Sequence, residues 1–388
     1  MVRKIYFLNL CAVIFIAINL RGNITTIGPL TDAIQQYYHL TPAGVGLLNS
    51  IPLIAFSAVA LVALYIPPAF GMLIGLGAII VGEFLRAYFQ LFPPIGLFVG
   101  TLILGSGIAI GNVMLPGFIK SKFPSEIPKL MGIYSVMLNL SAIIGILFAL
   151  PLLKYLSLPH VLGAWLILAF LALLVYFPHI KNQRLRRKKE KIQRIFSLVK
   201  NKTMWKITFF MGSQSCMAYC ILAWYPKIIM QKGYNIETGA NLLFLMQIVC
   251  VPFALFSPII LAHLRQKFKV YFLVGIALCY CISFGILLFE SKFSFLVFAS
   301  CLGGIPMGSL FSFALYFIAR SAQDVRDVAK FSSLAQGFGY LLASVGPYGI
   351  GKSYEIFSNF TFGLIMMILI SLAIAFLGRA CLNNSHHL

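Results

Sequence analysis

Apolar residues run through this chain in continuous blocks of about 20, separated by short polar or basic connections. A helix rises 1.5 Å per residue, so about 20 apolar residues cross a hydrocarbon core of about 30 Å. The blocks predict spanning helices near residues 5–28, 42–66, 71–90, 95–119, 130–151, 160–179, 203–228, 239–263, 270–289, 294–319, 330–351 and 361–380. A strand of a membrane barrel would alternate over about ten residues, and these runs do not alternate. Thr41-Pro42 reads as an N-cap followed by proline at the first helical position. Pro67-Pro68 and Pro93-Pro94 mark the turns at either end of the third span. The first block follows Arg3 and Lys4 as a signal peptide would, but no small-residue cleavage site comes after it, so it is read as a retained helix.

Composition agrees with the pattern. Hydrophobic residues make up 60% of the 388, and charged residues only 10%, against about 25% charged in soluble domains. The expectation is an all-α membrane protein of twelve helices. A net charge of +21 raises the question of nucleic acid, but the basic residues cluster between apolar blocks without interleaved aromatics for base stacking. The densest run is Lys181, Arg184, Arg186, Arg187, Lys188, Lys189, Lys191 and Arg194. It reads as a cytoplasmic linker near anionic headgroups. With both termini inside, 23 Lys and Arg fall on the inner side and five outside: Lys154, Lys227, Lys232, Lys292 and Lys352. That asymmetry predicts cytoplasmic termini and an even number of spans.

The halves of the chain also resemble each other. LGSGIAIGNVMLPGFIK…GIYSVMLNLSAIIG, within 104–145, parallels LGGIPMGSLFSFALYFIAR…SSLAQGFGYLLASVG, within 302–346. Gly111 aligns with Gly308, Lys120 with Arg320, and Gly145 with Gly346. The predicted organisation is a six-helix bundle over 1–180, a basic linker over 181–202, a second bundle over 203–382 and a tail over 383–388. Two parallel six-span repeats resemble the architecture of the major facilitator superfamily, where substrate sits near the membrane midplane between the halves.

Several motifs invite other chemistry. Gly346-Pro347-Tyr348-Gly349-Ile350-Gly351-Lys352-Ser353 satisfies the phosphate-loop pattern, but it closes a membrane span instead of following a buried strand. Gly75-Leu76-Gly77 and Gly105-Ser106-Gly107 likewise read as small residues for close helix packing. Eight cysteines occur without a C-x-x-C, mostly inside apolar blocks, which implies neither a disulfide framework nor a metal site. There is no H-E-x-x-H and no G-x-S-x-G; His39, His160, His179 and His263 sit at span margins. Neither an enzyme nor a cofactor is expected.

Charges within spans are the informative feature, because each costs about 2.5–3.5 kcal/mol at a helix centre. Arg21, Glu83 and Arg86 qualify. Arg21 lies about 24 Å along span one, and Arg86 lies at similar depth in span three. Glu83 and Arg86, spaced i, i+3, can neutralise each other. Arg21 is then left as a planar, fork-shaped donor for a small anion or carboxylate; pairing with Asp32 or backbone carbonyls, or snorkelling, is the competing assignment. Mid-span polar residues supply second-line candidates: Asn19, Asn23, Asn112, Asn139, Gln214, Tyr219, Gln247, Gln336 and Tyr340. Asn23, Asn112, Gln214, Tyr219, Gln336 and Tyr340 join Arg21 as candidate substrate ligands. Glu83, Arg86 and Asp32 form the ion-pair or coupling set.

Specific stretches resemble one family. NLRGNITTIGPLTD at 19–32 is similar to the first-span signature of the cyanate and nitroimidazole transporter group of the major facilitator superfamily. GIAIGNVMLPGFIK at 107–120, AWYP at 223–226 and SSLAQGFGYLLASVGP at 332–347 resemble its fourth, seventh and eleventh spans. The resemblance implies a monomeric, multi-pass secondary transporter of the bacterial inner membrane. Its substrate would be a small anionic or weakly polar solute, with protons or a counter-anion as the coupling species and Arg21 carried over as substrate ligand. An exporter of drugs or metabolites is the alternative. Two departures stand out. Gly22 follows the arginine where the family usually has proline, and Pro67-Pro68-Ala69-Phe70-Gly71 lacks the acidic and basic residues of the usual gating loop. A cytoplasmic gate would then rest on Arg320, Asp324 and Asp327.

Overall fold

A computed structural model describes residues 2–62, 68–89, 92–123, 125–182, 201–320 and 325–383. Helices account for nearly all of the described residues, and no strand occurs among them. They are α1 (Val2–Ile18), α2 (Gly22–Thr25), α3 (Thr31–Tyr38), α4 (Pro42–Val62), α5 (Pro68–Tyr88), α6 (Pro93–Lys122), α7 (Ile127–Leu153), α8 (Leu158–Gly163), α9 (Trp165–Tyr176), α10 (Lys202–Gln231), α11 (Ile236–His263), α12 (Gln266–Phe289), α13 (Phe293–Arg320), α14 (Val325–Phe357) and α15 (Thr361–Asn383). A short 3-10 turn, Phe177–Asn182, follows α9.

Each predicted span overlaps helix among the described residues. Among the described residues eleven helical segments are long and apolar enough to cross a membrane. The eleventh predicted span lies on α14, which is 33 residues long but carries Ser332, Ser333, Gln336, Ser344, Lys352 and Glu355. Two spans depart from a single rod. The sixth divides into α8 and α9, and the first is interrupted at residues 19–21 before α2 resumes. Prolines lie inside α4, α6, α7, α10, α11, α13 and α14, where neighbouring helices can re-satisfy the backbone groups they free. The linker 183–200, Asp324 and the tail beyond Asn383 lie outside the described residues.

The chain divides into two compact units, Met1–Leu40 with Ile51–Lys189, and Thr41–Ser50 with Glu190–Leu388. In the first, α5 and α6 meet through a reciprocal pair of glycines: a Cβ at Gly82 would lie 2.7 Å from the Gly100 carbonyl, and one at Gly100 would lie 2.7 Å from the Gly82 carbonyl. Such backbone contact gains packing that bulky side chains would block. In the second, α10 meets α14 at Gly212, whose Cβ would fall 2.9 Å from the Gly339 carbonyl. Serines add cross-helix bonds: Ser283 donates to the Ala299 carbonyl at 2.7 Å, and Ser371 to the Ala277 carbonyl at 3.0 Å.

The repeat is visible in one contact. Gly145 on α7 faces the Gly22 carbonyl of span one, and Gly346 on α14 faces Cys216 and Cys220 of α10. In each half the fifth span therefore meets the first at the aligned glycine. Gly111 and Gly308 diverge: the former abuts Leu20 of span one, the latter the backbone of α11 at Cys250 and Ala254.

Candidate functional site

The interruption in span one has a local cause. In an α-helix the Gly22 N–H would donate to the Ile18 carbonyl four residues earlier. Here the Ser141 hydroxyl of α7 stands between them: Gly22 N–H donates to Ser141 Oγ at 2.7 Å, and Ser141 Oγ donates in turn to Ile18 O. A side chain inserted into the ladder is a recognised cause of a break. The chain beyond is held from several sides. Thr25 Oγ1 donates to the Ala142 carbonyl at 3.1 Å, Trp165 Nε1 donates to Thr26 Oγ1 at 3.1 Å, and Asn19 Nδ2 donates to the Leu168 carbonyl at 3.0 Å. A Cβ at Gly22 would clash with the Trp165 ring, which gives a physical reason for glycine at this position.

Arg21 sits at the break, at the N-cap of α2, with φ −143° and ψ −39°. Its side chain is half-buried, and among the described residues the guanidinium makes no hydrogen bond or ion pair. Its charge acts on Tyr134 of α7, whose hydroxyl donates to Asn112 Oδ1 of α6 at 2.8 Å. With that oxygen engaged, Asn112 has its amide N–H2 left to donate, and Arg21 is a donor only; each suits a ligand rich in acceptor oxygens or nitrogens.

Arg86 is differently placed. It is 1% exposed and Glu83 is 0% exposed; Arg86 Nη2 donates to Glu83 Oε2 at 2.8 Å and to the Leu162 carbonyl at 3.3 Å, and Nη1 donates to the Asn23 carbonyl at 3.0 Å. Asn23 Nδ2 donates to Glu83 Oε1 at 2.7 Å. Asn23 is thus fully buried in the Glu83–Arg86 knot and its amide N–H2 is committed to a carboxylate. Asp32 lies half-buried in the first turn of α3, where a carboxylate suits the positive helix end.

The candidates of the second unit lie on α10 and α14. Gln214 is buried and donates to Ser215 Oγ at 2.7 Å; Gln336 is half-buried and donates to Ser332 Oγ at 2.7 Å. Tyr219 and Tyr340 are both half-buried. Gln247 on α11 is buried, with Nε2 unpartnered. Of Arg320 and Asp327 only the helical backbone is described, at the end of α13 and the start of α14. The phosphate-loop look-alike at 346–353 is helical throughout, within α14, and Gly351 faces the Pro42 carbonyl and the Trp224 ring. Its backbone N–H groups are consumed by the helix instead of forming a phosphate cradle. No group of three or more potential metal ligands occurs among the described residues.

The major facilitator superfamily model matches residues 10–347. The chain belongs to the major facilitator superfamily. This transporter is 30% identical to the 2-nitroimidazole transporter of Escherichia coli over 375 residues, covering 95% of the chain and 94% of the relative. It is also 30% identical to an uncharacterised transporter of Bacillus subtilis, YycB, over 93% of the chain and 90% of that relative. The cyanate transport protein CynX of Escherichia coli is 23% identical over 90% of the chain and 91% of its own length. Among solved structures the nucleoside transporter NupG superposes with a TM-score of 0.74 at 15% identity, covering 97% of the chain and 98% of NupG. A bacterial homologue of the lysosomal transporter Spinster gives 0.72 at 13% identity, over 97% of the chain and 96% of that structure. These structures share the fold of this multi-pass membrane protein, and its curated relatives are named as transporters.

Tyr134, Ser141 and Trp165 were not among the sequence candidates. Tyr134 and Ser141 stand inside the fifth-span stretch that revealed the repeat, but nothing local distinguishes them from ordinary interhelical glue.

Proposed function

We propose that this transporter moves a small anionic or acceptor-rich solute by secondary active transport, with Arg21 as the principal ligand and Asn112 and Tyr134 beside it. The observation that carries the reading is the difference between two arginines of one unit. Arg86 is engaged by Glu83 and two carbonyls, while Arg21, beside a break in a membrane span, keeps a half-exposed guanidinium that is unengaged among the described residues. An intramembrane charge without a structural partner is costly, and it persists where function uses it. The names of the nitroimidazole and cyanate relatives support a small planar substrate with oxygen or nitrogen acceptors.

Gln214, Tyr219, Gln336 and Tyr340 are proposed as second-half contributors to alternating access. Arg320, Asp324 and Asp327 are proposed as the cytoplasmic gate. Asn23 is proposed to serve through the knot that steadies the chain next to Arg21. The protein is proposed to act as a monomer in a bacterial inner membrane, with both termini cytoplasmic. Anion uptake against 100 mV, inside negative, costs about 2.3 kcal/mol per charge. Concentrative uptake therefore needs co-transported protons or an exchanged anion. Glu83 and Asp32 are the acidic groups proposed for proton coupling, and a Glu83→Gln variant that retained pH-dependent uptake would remove Glu83 from that role. Export of drugs or metabolites is the second reading.

The test uses purified protein, with thermal shift and then proteoliposome flux against cyanate, 2-nitroimidazole and small carboxylates. Wild type is expected to bind at least one of these probes. Arg21→Ala should lose about 1.5–3 kcal/mol of binding, the value of hydrogen bonds to a charged group, and Arg21→Lys should fall between. Normal flux in both variants, or no binding of any probe by wild type, sinks the reading.

A further inference from the structure

The position of Arg21 depends on a hydroxyl from another helix. Among the rungs missing from span one is that between the Ile18 carbonyl and the Gly22 N–H, and Ser141 Oγ occupies it, accepting from the N–H and donating to the carbonyl. The flanks are held by backbone bonds: Leu20 N–H makes a tight turn bond to the Ala17 carbonyl three residues back at 3.1 Å, and Thr26 N–H donates to the Gly22 carbonyl four residues back at 3.0 Å. Asn19 to Arg21 leave the helix at the insertion, and α2 resumes for Gly22–Thr25.

The second half of the chain supplies an internal control. Gly145 and Gly346 occupy the same contact between the fifth and first spans of their halves, so Ser141 corresponds to Leu342. Leucine has no group to insert into a ladder. The span it faces, α10, runs unbroken from Lys202 to Gln231, and the nearest neighbour of a Cβ at Gly212 is the Leu342 side chain, 2.8 Å away. The same packing thus yields a continuous helix where the facing residue is leucine and a broken one where it is serine.

We propose that Ser141 is a positioning residue for substrate recognition: its hydroxyl holds span one open so that Arg21 leaves the helical path, with its guanidinium in electrostatic reach of Tyr134. This rests on Arg21 being the substrate ligand. Without the hydroxyl, the Gly22 N–H and Ile18 carbonyl bond each other directly, or stay unpaired in the membrane interior, and the arginine is re-aimed in either case.

Two measurements test it: amide exchange over residues 18–26, and binding of 2-nitroimidazole by wild type, Ser141→Ala, Arg21→Ala and the double variant. Ser141→Cys, a weaker donor and acceptor of similar size, serves if the alanine variant does not fold. Exchange at Gly22 should change about tenfold in Ser141→Ala, and affinity should weaken by about the same factor, the equivalent of losing one net hydrogen bond. The double variant should bind no more weakly than Arg21→Ala, because the serine acts through the arginine. Unchanged exchange at Gly22 overturns the role of Ser141 whatever the ligand. Wild-type affinity in Ser141→Ala beside a weakened Arg21→Ala, or losses that multiply in the double variant, overturns it while leaving Arg21 as ligand. Unweakened binding in Arg21→Ala removes the ligand role and the positioning role together.

Discussion

Replacing Glu83 by Leu leaves the Arg86 guanidinium buried, charged and without a carboxylate. Arg86 and Glu83 side chains are both 0% exposed, 2.8 Å apart, so neither water nor salt can take the partner's place. Breaking a buried pair by removing one member costs about 3–5 kcal/mol. Asn23 Nδ2, which donates to Glu83 Oε1 at 2.7 Å, loses its acceptor as well and adds about 1 kcal/mol. Carbonyls of Asn23 and Leu162 still receive Arg86, which returns part of that cost, so the expected loss is about 4 kcal/mol. Arg86→Met should cost a similar amount through the stranded carboxylate. The double variant Glu83→Leu with Arg86→Met removes both charges at roughly constant volume and should lie within about 1–2 kcal/mol of wild type. Reversible unfolding in mixed micelles, followed by the fluorescence of Trp165, reads all three; Trp165 donates to Thr26 and packs on Gly22 beside the knot. A double variant that loses the sum of the single losses, or a Glu83→Leu loss below about 1 kcal/mol, refutes the claim that the pair is mutually dependent and dry.

Gly145→Ala places a methyl 2.6 Å from both the Gly22 carbonyl and Thr25 Oγ1. It should cost about 1–3 kcal/mol as overpacking and should raise the exchange rate of residues 22–26; wild-type melting and exchange would contradict the close contact. On α14, Glu355 is held below its usual carboxylate value of 4.5 by hydrogen bonding from Lys352, with Thr41 and the Ala43 amide at the start of α4 also donating. A depressed carboxylate contributes stability above its unfolded value and loses it as pH falls through the folded one. Lys352, raised above 10.5 by the same partner, keeps its contribution until pH climbs past that raised value. Protection of the Ala43 amide should therefore exceed that in Glu355→Gln at neutral pH and converge with it once the pH falls through the depressed folded value. A difference that persists in acid would assign the protection to something other than this carboxylate.

The spans were legible because their signal is local: twenty apolar residues in a row mean the same thing wherever they occur. The Glu83–Arg86 pair was legible for the same reason, since i, i+3 residues share a helix face. The place of Asn23 in that knot is not legible, because its partner lies 60 residues away and no spacing rule reaches that far. The break at Arg21 was hidden further still. Its cause is a serine 119 residues on, in a stretch whose residues look like any membrane helix.

What sequence comparison within the chain did provide was the means to interpret the break. A repeat lays down the same scaffold twice, so contacts common to both halves, such as Gly145 against span one and Gly346 against α10, answer to packing alone. Differences at aligned positions are free of that constraint. Ser141 against Leu342 is such a difference, and it coincides with a broken helix on one side and an intact one on the other. The break also carries an arginine that is unengaged among the described residues and whose charge reaches Tyr134, while the intact helix α10 carries cysteines at the matching contact. An intramembrane charge and an interrupted ladder each cost free energy that packing does not require. Both fall in one half, within three residues of each other; the matching span α10 runs unbroken, and its buried Lys227 lies near the helix end over the Tyr354 ring. That concentration of avoidable cost is the strongest physical reason to look for the substrate at Arg21.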